Sequence, residues 1–390
     1  MSTLKDDIFS ISLPGSDLVF TRYLYAKDEV RIALLVSLLQ KNDDALFWAY
    51  ELFYSGFKHE LLQFIWKIYY EFFYTLNPSF EAYLLKKQNE LQSEYFISNI
   101  IQDLLYRPFN TDMFFLQIIC NNFDFDIGYH VTTKKITNSI ECRINILYWI
   151  DNQDYRSLSN WIITVNKSLE LVDIYQICLD IFLEKGIKLT KTGLIKEFKN
   201  VLLKVNVNPK IILLSRIMAL ISRKEGLKKG RSIYFQSEAE DLVCYETVTT
   251  TPAYRVLQEV ELKDIDNAQY LGLFRLNRRK YNMNDCYWYN WLYHASFSPI
   301  WLQRIKLCRG YADYNNKKIV FINDDCLEQF YELYGYEPDE QKKEIQEKSI
   351  IQITKASTWQ TFYNHFKKNG LLEIDDEELE ELNADAIKYE

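Results

Sequence analysis

Glycine and proline are scarce in this chain, with 11 Gly and 7 Pro in 390 residues. Tight turns and hairpins draw on those two residue types, so their scarcity argues against an all-β fold and for helices joined by short connections. It also leaves little material for a phosphate-cradling glycine loop or a dinucleotide fingerprint, and neither motif occurs. No Ser or Cys nucleophile signature is present either. The four histidines, His59, His130, His294 and His365, have no metal-ligand spacing among themselves or to a cysteine. Seven widely spaced cysteines, Cys120, Cys142, Cys178, Cys244, Cys286, Cys308 and Cys326, never form a C-x-x-C pair. That pattern predicts reduced, mostly buried thiols of a cytosolic protein.

Long apolar runs are missing as well. None approaches the roughly 20 residues of a membrane span, and the opening "MSTLKDDIFSISLPGSDLVF" lacks the continuous apolar core of a secretory leader. One short acidic pair, Asp124 and Asp126 with His130 nearby, imitates a metal or nuclease site. These features predict a protein that is not an enzyme, needs no cofactor or metal, and does not enter a membrane.

Aromatic residues are abundant at 16% of the chain. The stretch "DDALFWAYELFYSGF" carries Phe47, Trp48, Tyr50, Phe53, Tyr54 and Phe57, and rings this dense either build a core or stack on a ligand. The following helix decides for the core. Its polar residues Glu60, Gln63, Lys67 and Glu71 fall three or four apart on one narrow stripe, and almost everything else from Leu61 to Leu76 is apolar or aromatic. A helix apolar on most of its circumference is buried on several sides.

Hydrophobic periodicity predicts successive helices over roughly 26–41, 43–55, 58–76, 78–106, 111–122, 139–151, 155–165, 168–184, 192–204 and 209–224. "NDD" supplies the N-cap of the second helix, Gly56 its C-terminal stop, and Asn77-Pro78 the next break. The turns are unevenly spaced, which excludes a regular repeat array. The loop 121–135 is expected to be a short hairpin or excursion. After "KEGLKKGRS" the texture changes, and "NKKIVFIND" reads as a strand running into a helix capped by Asn323 or Asp324. The expected fold is mainly α, an irregular α-solenoid or helical bundle with a smaller mixed α/β C-terminal part and an acidic tail. The boundaries predicted are a helical domain over 1–225, a smaller helical or mixed domain over 235–340, a connector and helix over 341–372, and the tail over 373–390.

Charge is unevenly distributed. The formal net charge is −8, and residues 373–390 alone carry nine acids against one lysine. Lys185 to Arg231 holds thirteen Lys and Arg against only Glu197 and Glu225. Within it Lys188, Lys191, Lys196, Lys199 and Lys204 flank a helically periodic apolar set, Leu194, Ile195, Phe198, Val201 and Leu202. Lys224, Lys228, Lys229 and Arg231 continue the positive field. Such a patch suits a nucleic-acid backbone, because phosphate binding needs no particular sequence; a solvated face and a docking site for acidic protein are the alternatives. Arg275, Arg278, Arg279 and Lys280 precede "CYWYNWLYHASFSPIW". Cations beside rings could stack unpaired bases, but a buried aromatic helix with a charged flank is the simpler account. In the tail Leu379, Leu382 and Ile387 alternate with acids, as in a short helix that docks on a partner protein.

"RYLYAKDEVRIALLVSLLQ", "DDALFWAYELFYSGF", "LLQFIWKIYYEFF" and "LNPSFEAYLLKK", over about residues 22–87, resemble the N-terminal region of a helical protein family of nucleocytoplasmic large (giant) DNA viruses. The resemblance implies a viral protein of the host cytoplasm or the virion. Its motifs are structural and carry over no catalytic residue. The architecture is also analogous to helical translation-initiation scaffolds that hold a helicase and RNA. The expected function is a non-enzymatic helical scaffold or adaptor. It would bind RNA, in translation or mRNA handling, or an acidic protein, through the basic segment. The alternative is a virion structural protein making only protein–protein contacts, and a hydrolase built on Asp124 and Asp126 is a third.

Overall fold

The computed structural model describes residues 18–90, 93–123, 127, 136, 138–166, 168–188, 193–227, 229–231, 233–246, 251–259, 268–274, 281–349 and 357–387. The chain is mainly helical. The N-terminal run is α1 (Lys27–Gln40), α2 (Asp44–Tyr54), α3 (Lys58–Ile68), α4 (Phe80–Lys87), α5 (Glu94–Leu105) and α6 (Asp112–Asn122). It continues with α7 (Ser139–Asp151), α8 (Tyr155–Asn160), α9 (Leu171–Glu184), α10 (Ile195–Lys204) and α11 (Pro209–Lys224).

Local chemistry sets the ends of these helices. Asn42 Oδ1 accepts the Asp44 N–H at 2.9 Å where α2 begins. Gly56 ends α2 with φ of 95°, and a Cβ there would lie 2.5 Å from Pro299, so both its conformation and its neighbour demand glycine. Asn138, Asp154 and Asn208 cap α7, α8 and α11 through their side-chain oxygens. Two helices run on into π-helical turns, α3 at Tyr69–Phe73 and α8 at Trp161–Val165. The helix expected over 78–106 is instead two, α4 and α5, with a short 3₁₀ turn at Gln88–Glu90 between them.

The helices close on themselves. α1 packs on α2, α2 on α5, α6 on α8, α7 on α9, and α9 on α10 and α11. α11 then returns to the π turn after α3 and to α6, which makes a bundle rather than an open array. Phe47, Trp48, Tyr50, Phe53 and Phe57 are all buried, as expected for core rings. Their many edge-on contacts, such as Phe47 with Trp48 at 5.0 Å and 79°, suit the ring quadrupole.

The C-terminal part contributes α12 (Ala253–Glu259), α13 (Met283–Trp288), α14 (Trp291–Ala295), α15 (Pro299–Leu307), β1 (Gly310–Asp313), β2 (Lys318–Phe321), α16 (Asp324–Tyr334), α17 (Lys343–Ser349), α18 (Trp359–Phe366) and α19 (Asp376–Ile387). β1 and β2 form an antiparallel hairpin with Gly310 opposite Phe321 and Asp313 opposite Lys318. β2 leads into α16, capped by Asn323, which accepts the Cys326 N–H at 3.0 Å.

These elements join the N-terminal helices directly. Trp301 Nε1 donates to Thr21 O at 2.9 Å and Ser298 Oγ to Ser55 O at 3.0 Å. The rings of α18, Trp359, Phe362 and Tyr363, pack on Phe114 and Phe115 of α6. One buried apolar cluster takes in side chains from Leu18 to Leu382 and crosses every boundary drawn from the sequence. Most of the loop 121–135, including Asp124, Asp126 and His130, lies outside the described residues.

Candidate nucleic-acid interface

α10, "IKEFKNVLLK", is short and strongly amphipathic. Phe198 and Val201 are fully buried. The Phe198 ring lies 4.9 Å from Tyr175 of α9, whose hydroxyl donates to Gly193 O at 3.0 Å and fixes the chain entering α10. At about 100° per residue, Lys196, Lys199 and Lys204 occupy an arc of about 140° on the opposite side. All three are exposed, as is Lys188 after α9. Among the described residues none of these four lysines has a carboxylate partner. Leu203 stands in the middle of the lysine arc and is 87% exposed.

The rest of the basic segment divides. Lys185 pairs with Asp151 at 2.5 Å. Lys210 Nζ donates to Ile163 O at 2.7 Å at the end of the second π turn. Arg216 is buried, ion-paired to Glu81 and packed on the Phe198 ring at 5.4 Å. Burial raises the Glu81 pKa and the Arg216 guanidinium opposes the rise. Lys224 pairs with its neighbour Glu225 at 3.2 Å. Lys229 is half-buried, and burial followed by the nearby Arg223 lowers its pKa. Arg231 is exposed. Lys191 and Lys228 lie outside the described residues. The positive field therefore concentrates at Lys188 and α10, and again at Lys229 and Arg231; between them α11 buries Arg216 against Glu81 and ties Lys210 to the second π turn.

Beyond Arg231 the chain forms a strap, residues 233–237, laid antiparallel along α5. Arg107 Nη2 donates to Ile233 O at 2.8 Å, Phe235 N–H to Asp103 Oδ1 at 2.9 Å, and Ser237 N–H to Asn99 Oδ1 at 2.7 Å. The spacing explains the fit, because four helical residues rise about 6 Å and two extended residues span about 6.6 Å. Burial pushes the Asp103 carboxyl up to about 6, against the Phe235 N–H and Arg107, which pull it down. Successive side chains leave an extended strap on opposite sides. Tyr234 meets Tyr83 of α4 at 4.3 Å, and Phe235 stacks on Tyr106 at 4.6 Å and 27°. Tyr106 is 68% exposed and Tyr234 43%. Neither tyrosine is among the sites expected from sequence, although "RSIYFQS" places rings directly after the cations and its alternation is legible as an extended run.

The second basic group, Arg275, Arg278 and Arg279, lies outside the described residues. In the aromatic run that follows it, Tyr287, Trp291 and Trp301 are core residues. The partner-docking expectation for the tail is corrected: Leu379 and Leu382 are 1% and 3% exposed, held in this chain's own core by α18. Arg156 of α8 pairs with Glu378 at 2.7 Å. Asp376, Glu377, Glu380 and Glu381 of α19 thus face solvent because Leu379 and Leu382 turn inward, and those two leucines are not free for another protein. α19 ends at Ile387, whose side chain is outside the described set. No helix among the described residues is long and apolar enough to cross a membrane, and none of the seven cysteines is disulfide-bonded. Compared with protein-family models, with curated proteins and with solved structures, the chain returns no match.

Proposed function

We propose that this protein is a non-enzymatic helical scaffold that holds RNA along the lysine face of α10. The observation carrying the proposal is the set Lys196, Lys199 and Lys204 on α10, whose other face is locked into the core, with Lys188 ahead of it, all four exposed and without carboxylate partners among the described residues. Phosphate recognition needs charge and reach alone. An acidic amphipathic helix would need an apolar stripe to lie on. The exposed leucines near α10, Leu194 and Leu203, are nine residues apart and fall half a turn out of phase, so they form no stripe. In the setting implied by the resemblance of residues 22–87, such a scaffold would act in host cytoplasm or within the virion, in translation or mRNA handling.

The test is fluorescence polarisation with a labelled single-stranded RNA. Lys196→Gln, Lys199→Gln and Lys204→Gln combined should weaken binding about tenfold or more at low salt with unchanged melting. Equal binding by parent and variant would remove α10 as the interface.

A specific observation favours a second reading, a structural protein with protein–protein contacts only. Ile140, Ile144 and Leu183 are exposed on the paired helices α7 and α9, beside the Arg143–Glu184 ion pair. Sedimentation of the parent against Ile144→Asp separates the two: self-association abolished in the variant, with no RNA binding by the parent, supports the structural role.

A further inference from the structure

We propose that Tyr234 of the strap 233–237 and Tyr106 at the end of α5, stacked on the strap's Phe235, form a two-sided stacking platform for unpaired RNA bases, entered from its cationic end at Lys229 and Arg231. The inference rests on the RNA reading of α10 and adds where the bases go.

The platform is pre-organised. The strap backbone is tied to α5 at alternate residues by Arg107, Asp103 and Asn99, and Gly230 N–H donates to Leu76 O at 3.1 Å just before it. Arg107 also lies 5.2 Å over the Tyr234 ring and 4.1 Å over Phe80. Rings fixed in this way lose little freedom when a ligand arrives. Each tyrosine retains a large exposed area beside its ring partners: Tyr106 stacks on Phe235, and Tyr234 meets Tyr83 and, at 6.4 Å, Phe80. A base can stack on the exposed side whatever its identity, because every base has a π-face.

The charge around the strap has a direction. Lys229 and Arg231 precede it, and the exposed acids Glu238, Glu240 and Asp241 follow it. A phosphate chain is drawn to the first end and repelled from the second, so its bases meet the rings between. α4 connects this region to α10. It carries Tyr83 on the strap side, and its Glu81 pairs with Arg216, which packs on the Phe198 ring on the buried side of α10. A proline-rich peptide also docks on exposed rings, but it has no use for the cations that lead into these ones.

Full-length protein is titrated against a labelled 12-nucleotide single-stranded RNA and against an abasic ribose-phosphate chain of the same length. Tyr106→Ala should weaken RNA binding about five- to hundredfold and leave the abasic chain unaffected. Tyr106→Phe should bind RNA like the parent. Lys196→Gln with Lys199→Gln should weaken both chains. Tyr106 is a surface residue, so its variants test stacking without threatening the fold; Tyr234→Ala is read beside them. If lysine variants weaken binding while both tyrosine variants match the parent on RNA, the platform is wrong and the RNA reading stands. A proline-rich peptide bound by the parent but not by Tyr106→Ala, with RNA affinity unchanged, overturns the base-stacking assignment. If the parent binds neither chain, the RNA reading itself fails and the platform falls with it.

Discussion

Asp112 accepts the backbone N–H of Leu371 at 2.9 Å, joining positions 259 residues apart. The same carboxylate accepts Leu372 N–H at 3.2 Å. Tyr363 extends the clamp, donating to Leu372 O at 2.8 Å and accepting Ile374 N–H at 3.1 Å. Asp112→Ala leaves two amide donors without their acceptor and should cost about 1–3 kcal/mol in urea unfolding. Deleting residues 374–390 should destabilise further, since Leu379 and Leu382 leave the core with it. An unchanged midpoint in the truncated protein would show that Leu379 and Leu382 of α19 add nothing the fold needs.

Asp112 also gives the protein a pH response. Burial pushes its carboxyl up to about 6, against the Leu371 and Leu372 N–H groups, which pull it down. An unfolded Asp titrates near 3.9. An acid whose folded pKa is the higher one binds its proton more tightly when folded. Its contribution to stability is therefore full below about pH 4 and lost as pH rises through 6. Asp112→Asn keeps an acceptor oxygen and cannot titrate. The stability difference between parent and variant should therefore move by about 2–3 kcal/mol between pH 4 and 7. Parallel stability curves would refute the assignment.

Arg216 and Glu81 form a buried pair, with Tyr70 OH donating to Glu81 at 2.7 Å. Arg216→Met abandons the carboxylate in the core and should cost about 3–5 kcal/mol. Glu81→Leu combined with Arg216→Met should regain most of that. Because Phe198 packs on Arg216, the single variant should also speed hydrogen exchange in α10. Additive losses in the double variant would deny the coupling.

Trp66 is buried, 5.8 Å from Tyr70 in a stacked arrangement, and donates from Nε1 to Gln88. Trp66→Ala should cost about 3–5 kcal/mol through the cavity it leaves. Wild-type melting of this variant would contradict a core role for the aromatic helices.

The helices were legible because a buried face writes its period into the chain. The span expected at 139–151 is α7, Ser139–Asp151, and "NDD" and Gly56 bound α2 as their chemistry requires. What periodicity does not report is the partner. Asp103 and Asn99 read as polar positions of α5, yet each waits for a backbone amide more than 130 residues away. Arg216 counts toward the basic patch in sequence because its charge is visible there and its burial against Glu81 is not. Its place in the apolar run "IILLSRIMALIS" is the available hint. The tail misleads for the same reason: nine acids dominate its composition, whereas Leu379 and Leu382 decide its position. The side of α10 that carries Lys196, Lys199 and Lys204 is legible, since Phe198 and Val201 fix which side is buried, whereas Leu194, counted with the apolar set, is 47% exposed.

The most direct measurement is the salt dependence of single-stranded RNA binding, parent against the Lys196→Gln, Lys199→Gln and Lys204→Gln triple variant, from about 50 to 200 mM salt. If α10 holds phosphates, log K should fall steeply and linearly with log salt in the parent. The slope should flatten in the variant by about 0.7 for each phosphate no longer neutralised, up to about 2 in all. Parent and variant sharing one slope, or a parent that binds no RNA at about 50 mM salt, would contradict the account.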